Sequence, residues 1–225
     1  MGILKKIKHF QSFRWILAAK LAFLCGFFPT YYSPVTDGMH WVEVSSPATQ
    51  RSEIIKIHSI MKWNRRELGE TFTWGLAETI SSEARKYGLD PMLVLAVINV
   101  ESRFHHQKTS PDGARGLMQI RPFVGSDLAE QTDLVEDWEG AESLDDPILN
   151  VKLGIFYLGS LKKRFKNMEL ALTAYNWGPT RVQSRLEEDE PISLDYAERV
   201  LSNYEDLRQP FQIRRAGWKE SERSR

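Results

Sequence analysis

The stretch Asn99–Ile120, NVESRFHHQKTSPDGARGLMQI, decides how this chain is read. Its first residues end an apolar run, LVLAVINV from Leu93 to Val100, and close it with a carboxylate, Glu101. A turn sequence follows, Ser110-Pro111-Asp112-Gly113, and then a second apolar patch, Gly116-Leu117-Met118-Gln119-Ile120. A glutamate with only a structural role sits at lower cost on a polar face. Just upstream, Asp90-Pro91 reads as an N-cap followed by proline at the first helical position, which predicts a helix from Pro91 to about Ser102. Glu101 then falls in the last turn, at the negative end of the helix dipole and among apolar neighbours. Both effects disfavour the charged carboxylate and raise its pKa. A carboxyl group that holds its proton near neutral pH is what a general acid requires. The turn returns the chain so that Gly116–Gln119 packs beside the end of this helix. The glycines there permit close backbone approach to a ligand, and Gln119 is placed to hydrogen-bond amide or hydroxyl groups of a polar substrate.

Working outward, the pattern is helical on both sides. Ile54, Ile57, His58 and Met61 recur at helical spacing from Glu53 onward. A second helix is predicted over Trp74 to Tyr87, stopped by Gly88. Pro122 ends the second apolar patch, and a helix follows near Phe123 to Gln131. Asp146-Pro147 repeats the cap-plus-proline signature and opens a helix to about Phe165. Its stripe of Ile148, Val151, Ile155, Leu158 and Leu161 reads as core. Further helices are expected over Glu169–Asn176, ended by Gly178-Pro179, and over about Leu194–Leu207. There is no internal repeat, P-loop or GxGxxG. The expected fold class is all-α, with one short non-helical, β-like excursion between Phe104 and Ile120 that carries the candidate site.

Composition bounds the function. The chain has 225 residues, 42% hydrophobic and 27% charged, an ordinary globular balance for one medium domain. Its formal net charge is zero, so no global field draws it to nucleic acid. The single cysteine, Cys25, leaves no disulfide framework and no cysteine metal site, and no cofactor is expected. His105-His106 does not suggest zinc either: adjacent side chains diverge, and no third ligand stands at helical spacing. The N-terminus is basic at Lys5, Lys6, Lys8, His9 and Arg14, then apolar from Trp15 to Phe28. That layout is a signal peptide or, uncleaved, a membrane anchor across residues 1–28. Lys20 interrupts the run and no clean A-x-A site follows it. In both cases the domain works outside the cytoplasmic membrane. Residues 29–52 read as a linker, 53–208 as the catalytic domain and 209–225 as a polar tail.

Four motifs in order give this domain a resemblance. Glu101-Ser102-x-Phe104, continued by Ser110-Pro111-x-Gly113-Ala114-x-Gly116-Leu117-Met118-Gln119-Ile120, resembles the soluble lytic transglycosylase family, which has a lysozyme-like fold. Asn150-x-x-x-Gly154-x-x-Tyr157-Leu158 is similar to the family's helix after the active-site lobe. Ala171-x-x-Ala174-Tyr175-Asn176-x-Gly178-Pro179-x-x-Val182 is similar to its AYN-G segment, and Tyr196-x-x-x-Val200-Leu201-x-x-Tyr204 to its closing helix. The match runs from about Trp74 to Leu207. The resemblance implies cleavage of the β-1,4 bond between N-acetylmuramic acid and N-acetylglucosamine in peptidoglycan, with 1,6-anhydro-muramyl ends as products. It implies that one glutamate, Glu101, serves as acid and then as base. It places Ser110 against the substrate's acetamido group, Gln119 and Tyr175 on the cleft wall, and Asn176 as a support for that wall or as a helix-end cap. The partner is the glycan strand, and the protein is expected to be a monomer.

The chain departs from the family pattern at several positions. His105-His106 stands where Asn-Pro is usual, and Lys108 replaces a small residue. Arg121 replaces a methionine, and Trp177 stands between Asn176 and Gly178. These departures leave the chemistry intact and bear on substrate detail; Arg121 adds charge to the cleft. Two other readings stay open. Asp112, more simply a turn residue, would be the second carboxylate of a water-using muramidase if it faced Glu101. A glycan-binding envelope protein without activity would need neither carboxylate.

Overall fold

The structure, a computed structural model, describes residues 46–209 apart from 133, 136 and 137. The chain from Thr49 onward is a unit of its own. The N-terminal segment read as signal or anchor lies outside the described residues, as does the tail beyond Gln209. Among the described residues no helix is long and apolar enough to cross a membrane.

Helix α1 spans Pro47–Asn64 and buries Ile57, Ile60 and Met61. It begins inside the stretch read as linker, because its first turns are polar and carry no apolar period. Helix α2 spans Glu70–Lys86, starting a turn before the predicted Trp74. Helix α3 spans Pro91–Ser102, and the Asp90 carboxylate accepts from the Met92 N–H at 2.8 Å, as the cap signature predicts. Every residue from Pro91 to Ile98 is buried, so α3 is apolar all round and runs through the core. Each of its leucine, isoleucine and valine side chains contributes about 1.5–3 kcal/mol by that burial.

Helix α3 ends through two successive left-handed residues, Arg103 and Phe104, with φ of 50° and 61°. Phe104 is buried, which holds the strained turn in place. The excursion then folds on isolated antiparallel bridges, Thr109 with Arg115 and Arg115 with Ile120. Helix α4 covers Pro122–Glu130, and a short 3-10 turn over Ala141–Asp145 precedes helix α5, Pro147–Phe165. The Asp146 side chain caps α5 at the Leu149 N–H, 2.8 Å away. Helix α6 spans Met168–Trp177, α7 Pro179–Glu187 and α8 Asp195–Arg208.

Two elements differ from the sequence reading. The 3-10 turn was not foreseen, and Gly178-Pro179 is a junction rather than a stop. Gly178, at φ 92°, ends α6, and Pro179 opens α7 at its first helical position. Helix α7 buries only Val182, too little apolar stripe to announce a helix.

Packing sets the position of the site. Helix α3 lies against α8 and α2, α5 against α6 and α2, and α6 against α7 and α8. The excursion is bolted to α5 by buried Asn150. Its carboxamide donates to the Arg115 and Leu144 carbonyls at 2.9 and 3.1 Å and accepts from the Met118 N–H at 2.8 Å. Two glycines make the fit possible. A Cβ on Gly116 would stand 2.3 Å from the Asn150 amide nitrogen, and one on Gly154 would stand 2.4 Å from the Met118 sulfur. On the outer side, Arg115 grips Asp145 through two hydrogen bonds of 2.9 Å and reaches Glu142 at 3.2 Å.

Candidate active site

Glu101 sits where α3 ends, half-buried at the mouth of a cleft of about 840 Å³. Burial pushes its carboxyl pKa above the ordinary carboxylate value. Three groups oppose that shift in part: the Tyr196 hydroxyl, which donates to Oε1 at 2.6 Å, and the charges of Lys108 and Arg199. Desolvation outweighs them. The result is a carboxyl group that keeps its proton to higher pH than an ordinary carboxylate and is fixed in direction by one short hydrogen bond.

All five residues singled out in the sequence line this one cleft: Glu101, Ser110, Gln119, Tyr175 and Asn176. The turn that carries Ser110 is closed by backbone bonds from the Ser110 N–H to the Ala114 carbonyl at 2.8 Å and from the Gly113 N–H to the Ser110 carbonyl at 2.9 Å. The Ser110 hydroxyl oxygen also accepts from the Ala114 N–H at 3.0 Å, which leaves its proton to donate into the cleft.

Gln119 is more constrained than its sequence suggests. Its backbone is left-handed at φ 48°. Its amide nitrogen donates to the Lys108 and Gly116 carbonyls at 2.9 and 3.0 Å. Both amide protons are therefore spent on the excursion, and Gln119 meets a ligand only as an acceptor. Tyr175 is likewise anchored, its hydroxyl donating to the Met118 carbonyl at 2.8 Å. Burial raises that phenol well above its ordinary pKa, so it stays neutral. Its ring leans on Tyr157, with centroids 5.3 Å apart. Asn176 is exposed on the cleft wall, and the cap of α6 is made by the Gly178 N–H to the Ala174 carbonyl instead.

Sequence reasoning passed over two residues around the site, of which Tyr157 lines the cleft. Tyr196, the direct partner of Glu101, lies in a motif that was matched only as a helix. Tyr157 was matched the same way. Nothing local marks either one, since each is a tyrosine on an otherwise apolar helix face.

The departures resolve physically. Lys108 reaches back so that its ammonium donates to the Glu101 backbone carbonyl, which satisfies an orphan acceptor at the end of α3. His105 contacts Arg65, while His106 turns its ring toward Phe72, centroids 5.4 Å apart. Trp177 is half-buried on the cleft wall with the Arg181 guanidinium 4.5 Å above its ring. Asp112 is exposed in the same cleft. Among the described residues no cluster of histidine, cysteine and carboxylate could hold a metal ion.

With this geometry in hand, the comparisons are direct. Residues 78–192 match the family described as the transglycosylase SLT domain. The soluble lytic murein transglycosylase of Salmonella typhimurium is 28% identical over 148 residues, which are 65% of this chain and 21% of that protein. The transglycosylase of Enterobacteria phage PRD1 is 34% identical over 101 residues, 45% of this chain and 34% of that one. The chain therefore spans about a third or less of these relatives' length. The fold is similar to that of the 70 kDa soluble lytic transglycosylase of Escherichia coli, with a TM-score of 0.50 at 22% identity over 73% of this chain and 31% of that one.

Proposed function

Because the chain belongs to the transglycosylase SLT domain family, we propose that it is a peptidoglycan lytic transglycosylase with Glu101 as its acid and base. One observation carries this reading: a desolvated carboxyl group, raised in pKa and held by Tyr196, opens into a cleft of about 840 Å³. The protonated carboxyl of Glu101 gives its proton to the glycosidic oxygen between N-acetylmuramic acid and N-acetylglucosamine. The bond from that oxygen to C1 of the muramic acid breaks, and the sugar's own acetamido group, met by the Ser110 hydroxyl, steadies the cationic carbon. The Glu101 carboxylate then takes the proton of the C6 hydroxyl, whose oxygen bonds to C1. The product is a 1,6-anhydro ring, no water is consumed, and Glu101 ends protonated for the next cycle. This single-glutamate route needs no second carboxylate, unlike the usual pair.

The remaining residues support the wall of the site. Gln119 accepts from a sugar hydroxyl or amide, Tyr175 presents its ring edge, and Asn176 offers an exposed carboxamide. The protein acts in the cell envelope, exported by its N-terminal segment, which serves as a cleaved signal or a retained inner-membrane anchor. It works as a monomer on the glycan strand, with no cofactor.

Mass spectrometry of the fragments released from purified peptidoglycan tests the reading. Anhydro-muramyl ends, one water lighter than hydrolysed ends, are expected. Hydrolysed ends would instead assign a muramidase and bring Asp112 forward as the second carboxylate. Glu101→Gln is expected to lower cleavage by about 10²–10⁴-fold, the usual worth of a general acid or base.

A further inference from the structure

Lys108 stands where the family pattern has a small residue, and its contacts are ones that a small residue could not make. Its main chain is fixed first. The Lys108 carbonyl accepts from the Gly116 N–H at 2.9 Å and from the Gln119 amide nitrogen at 2.9 Å. The segment just before it is held from the other side, by the contact of His105 with Arg65 and by the ring of His106 against Phe72. Arg65 and Phe72 both precede residues 78–192, the part of the chain that matches the family.

From that fixed point the side chain runs back across the end of α3. Its ammonium donates to the backbone carbonyl of Glu101, seven residues earlier. That carbonyl lies in the last turn of the helix, where the ladder of N–H groups runs out. The Arg103 N–H goes to the Asn99 carbonyl and the His105 N–H to that of Ser102. The lysine therefore grips the reacting residue itself rather than a neighbour.

The surroundings of the carboxyl are mixed. Burial raises the Glu101 pKa, while the Tyr196 hydrogen bond, then the charge of Lys108, then that of Arg199 lower it. From α6, the neutral phenol of Tyr175 feels the same carboxylate. Around Lys108 stand His105, Arg65, Glu67 and Arg103. Lys108 lies outside the lining of the cleft that Glu101 opens into. It borders a separate cavity of about 650 Å³ with Arg65, Arg103 and His105. Its route to the reaction is thus through Glu101 and not through the sugar.

We propose that Lys108 is a positioning residue for Glu101: it ties the returning excursion to the end of α3 and so holds the carboxyl group in line for proton transfer. The inference rests on the reading of Glu101 as acid and base. The charge of Lys108 also favours the carboxylate that must exist between proton donation and proton return.

The test is the pH–rate profile of Lys108→Met and Lys108→Arg, measured on soluble glycan-strand fragments. Methionine keeps most of the side chain and removes donor and charge, whereas arginine keeps both. Lys108 is exposed, so both variants should fold as the parent does. Lys108→Met is expected to lower kcat by about tenfold, the worth of one hydrogen bond from a charged donor, with KM unchanged. The alkaline limb of its profile should move to higher pH, because a cation that stabilises the Glu101 carboxylate is gone. Lys108→Arg should stay near the parent in both respects. The same limb shift on Lys108→Met should appear in a His105→Gln background, which separates it from titration of the imidazole. A limb that stays in place or moves to lower pH, with only the melting temperature reduced, would leave Lys108 a helix cap. A rise in KM alone would make it a substrate contact. Either outcome overturns the positioning role and leaves the Glu101 reading standing. Undiminished cleavage by Glu101→Gln would overturn that reading and the positioning role with it.

Discussion

The Tyr196 hydroxyl donates to Oε1 of Glu101 at 2.6 Å, joining residues 95 positions apart in the chain. One comes from the start of α8 and the other from the end of α3, and these two helices pack along each other. The bond opposes the effect of burial, because a donor to a carboxylate favours its charged form. It also fixes the direction of the carboxyl group, which a proton donor needs more than it needs a particular pKa.

Tyr196→Phe separates these two roles. The phenyl ring keeps the packing, but the carboxylate loses its donor. Glu101 should then titrate higher than in the parent protein, and a general acid stays active until it deprotonates. The alkaline limb of the pH–rate profile is therefore expected to move to higher pH, with kcat reduced as the carboxyl gains freedom. A limb that stays in place or moves down would separate Tyr196 from Glu101 function.

Glu101→Gln should stabilise the fold, and the effect should depend on pH. Burial raises the folded-state pKa of Glu101 above its unfolded value of 4.5. The unfolded chain therefore releases this proton first, and folding is penalised progressively as pH rises from the unfolded pKa through the folded one. Below 4.5 both states hold the proton and no penalty exists. The expected result is a higher melting temperature for the variant at neutral pH and a difference that closes as pH falls below the unfolded value. A variant less stable than the parent at neutral pH would mean that the carboxyl is structural.

Asn150→Ala is expected to loosen the site from behind. It removes three hydrogen bonds from a buried position and strands the Met118 N–H and the Leu144 carbonyl, while the Arg115 carbonyl keeps the Ile120 N–H at 3.0 Å. At about 1–3 kcal/mol for each buried group left unpaired, the loss should reach about 3 kcal/mol in urea unfolding. Activity should fall further than stability alone explains, since Gln119 and the Met118 carbonyl that holds Tyr175 belong to the released segment.

Local chemistry was legible wherever one residue acts on its own backbone. Asp90-Pro91 and Asp146-Pro147 announced α3 and α5 because a cap and a fixed φ operate within a single turn. The turn at Ser110-Pro111-Asp112-Gly113 was legible for the same reason. The junction at Gly178-Pro179 misled, because the same pair that ends one helix also starts another, and only the burial of Val182 decides that α7 continues. Gln119 lines the cleft, but its two donors are committed to the Lys108 and Gly116 carbonyls. That commitment depends on how the returning strand lies, which no spacing reveals.

By itself the sequence determined an all-helical frame, a carboxylate at the end of an apolar helix and the glycine-rich return beside it. These are consequences of caps, turns and periodicity, which act over a few residues. The tertiary structure alone decided which groups meet that carboxylate. Tyr196 reaches Glu101 and Asn150 secures the excursion only because separate helices pack there. Such contacts are set by the burial of apolar faces far apart in the chain, and a linear pattern carries no record of which faces will meet.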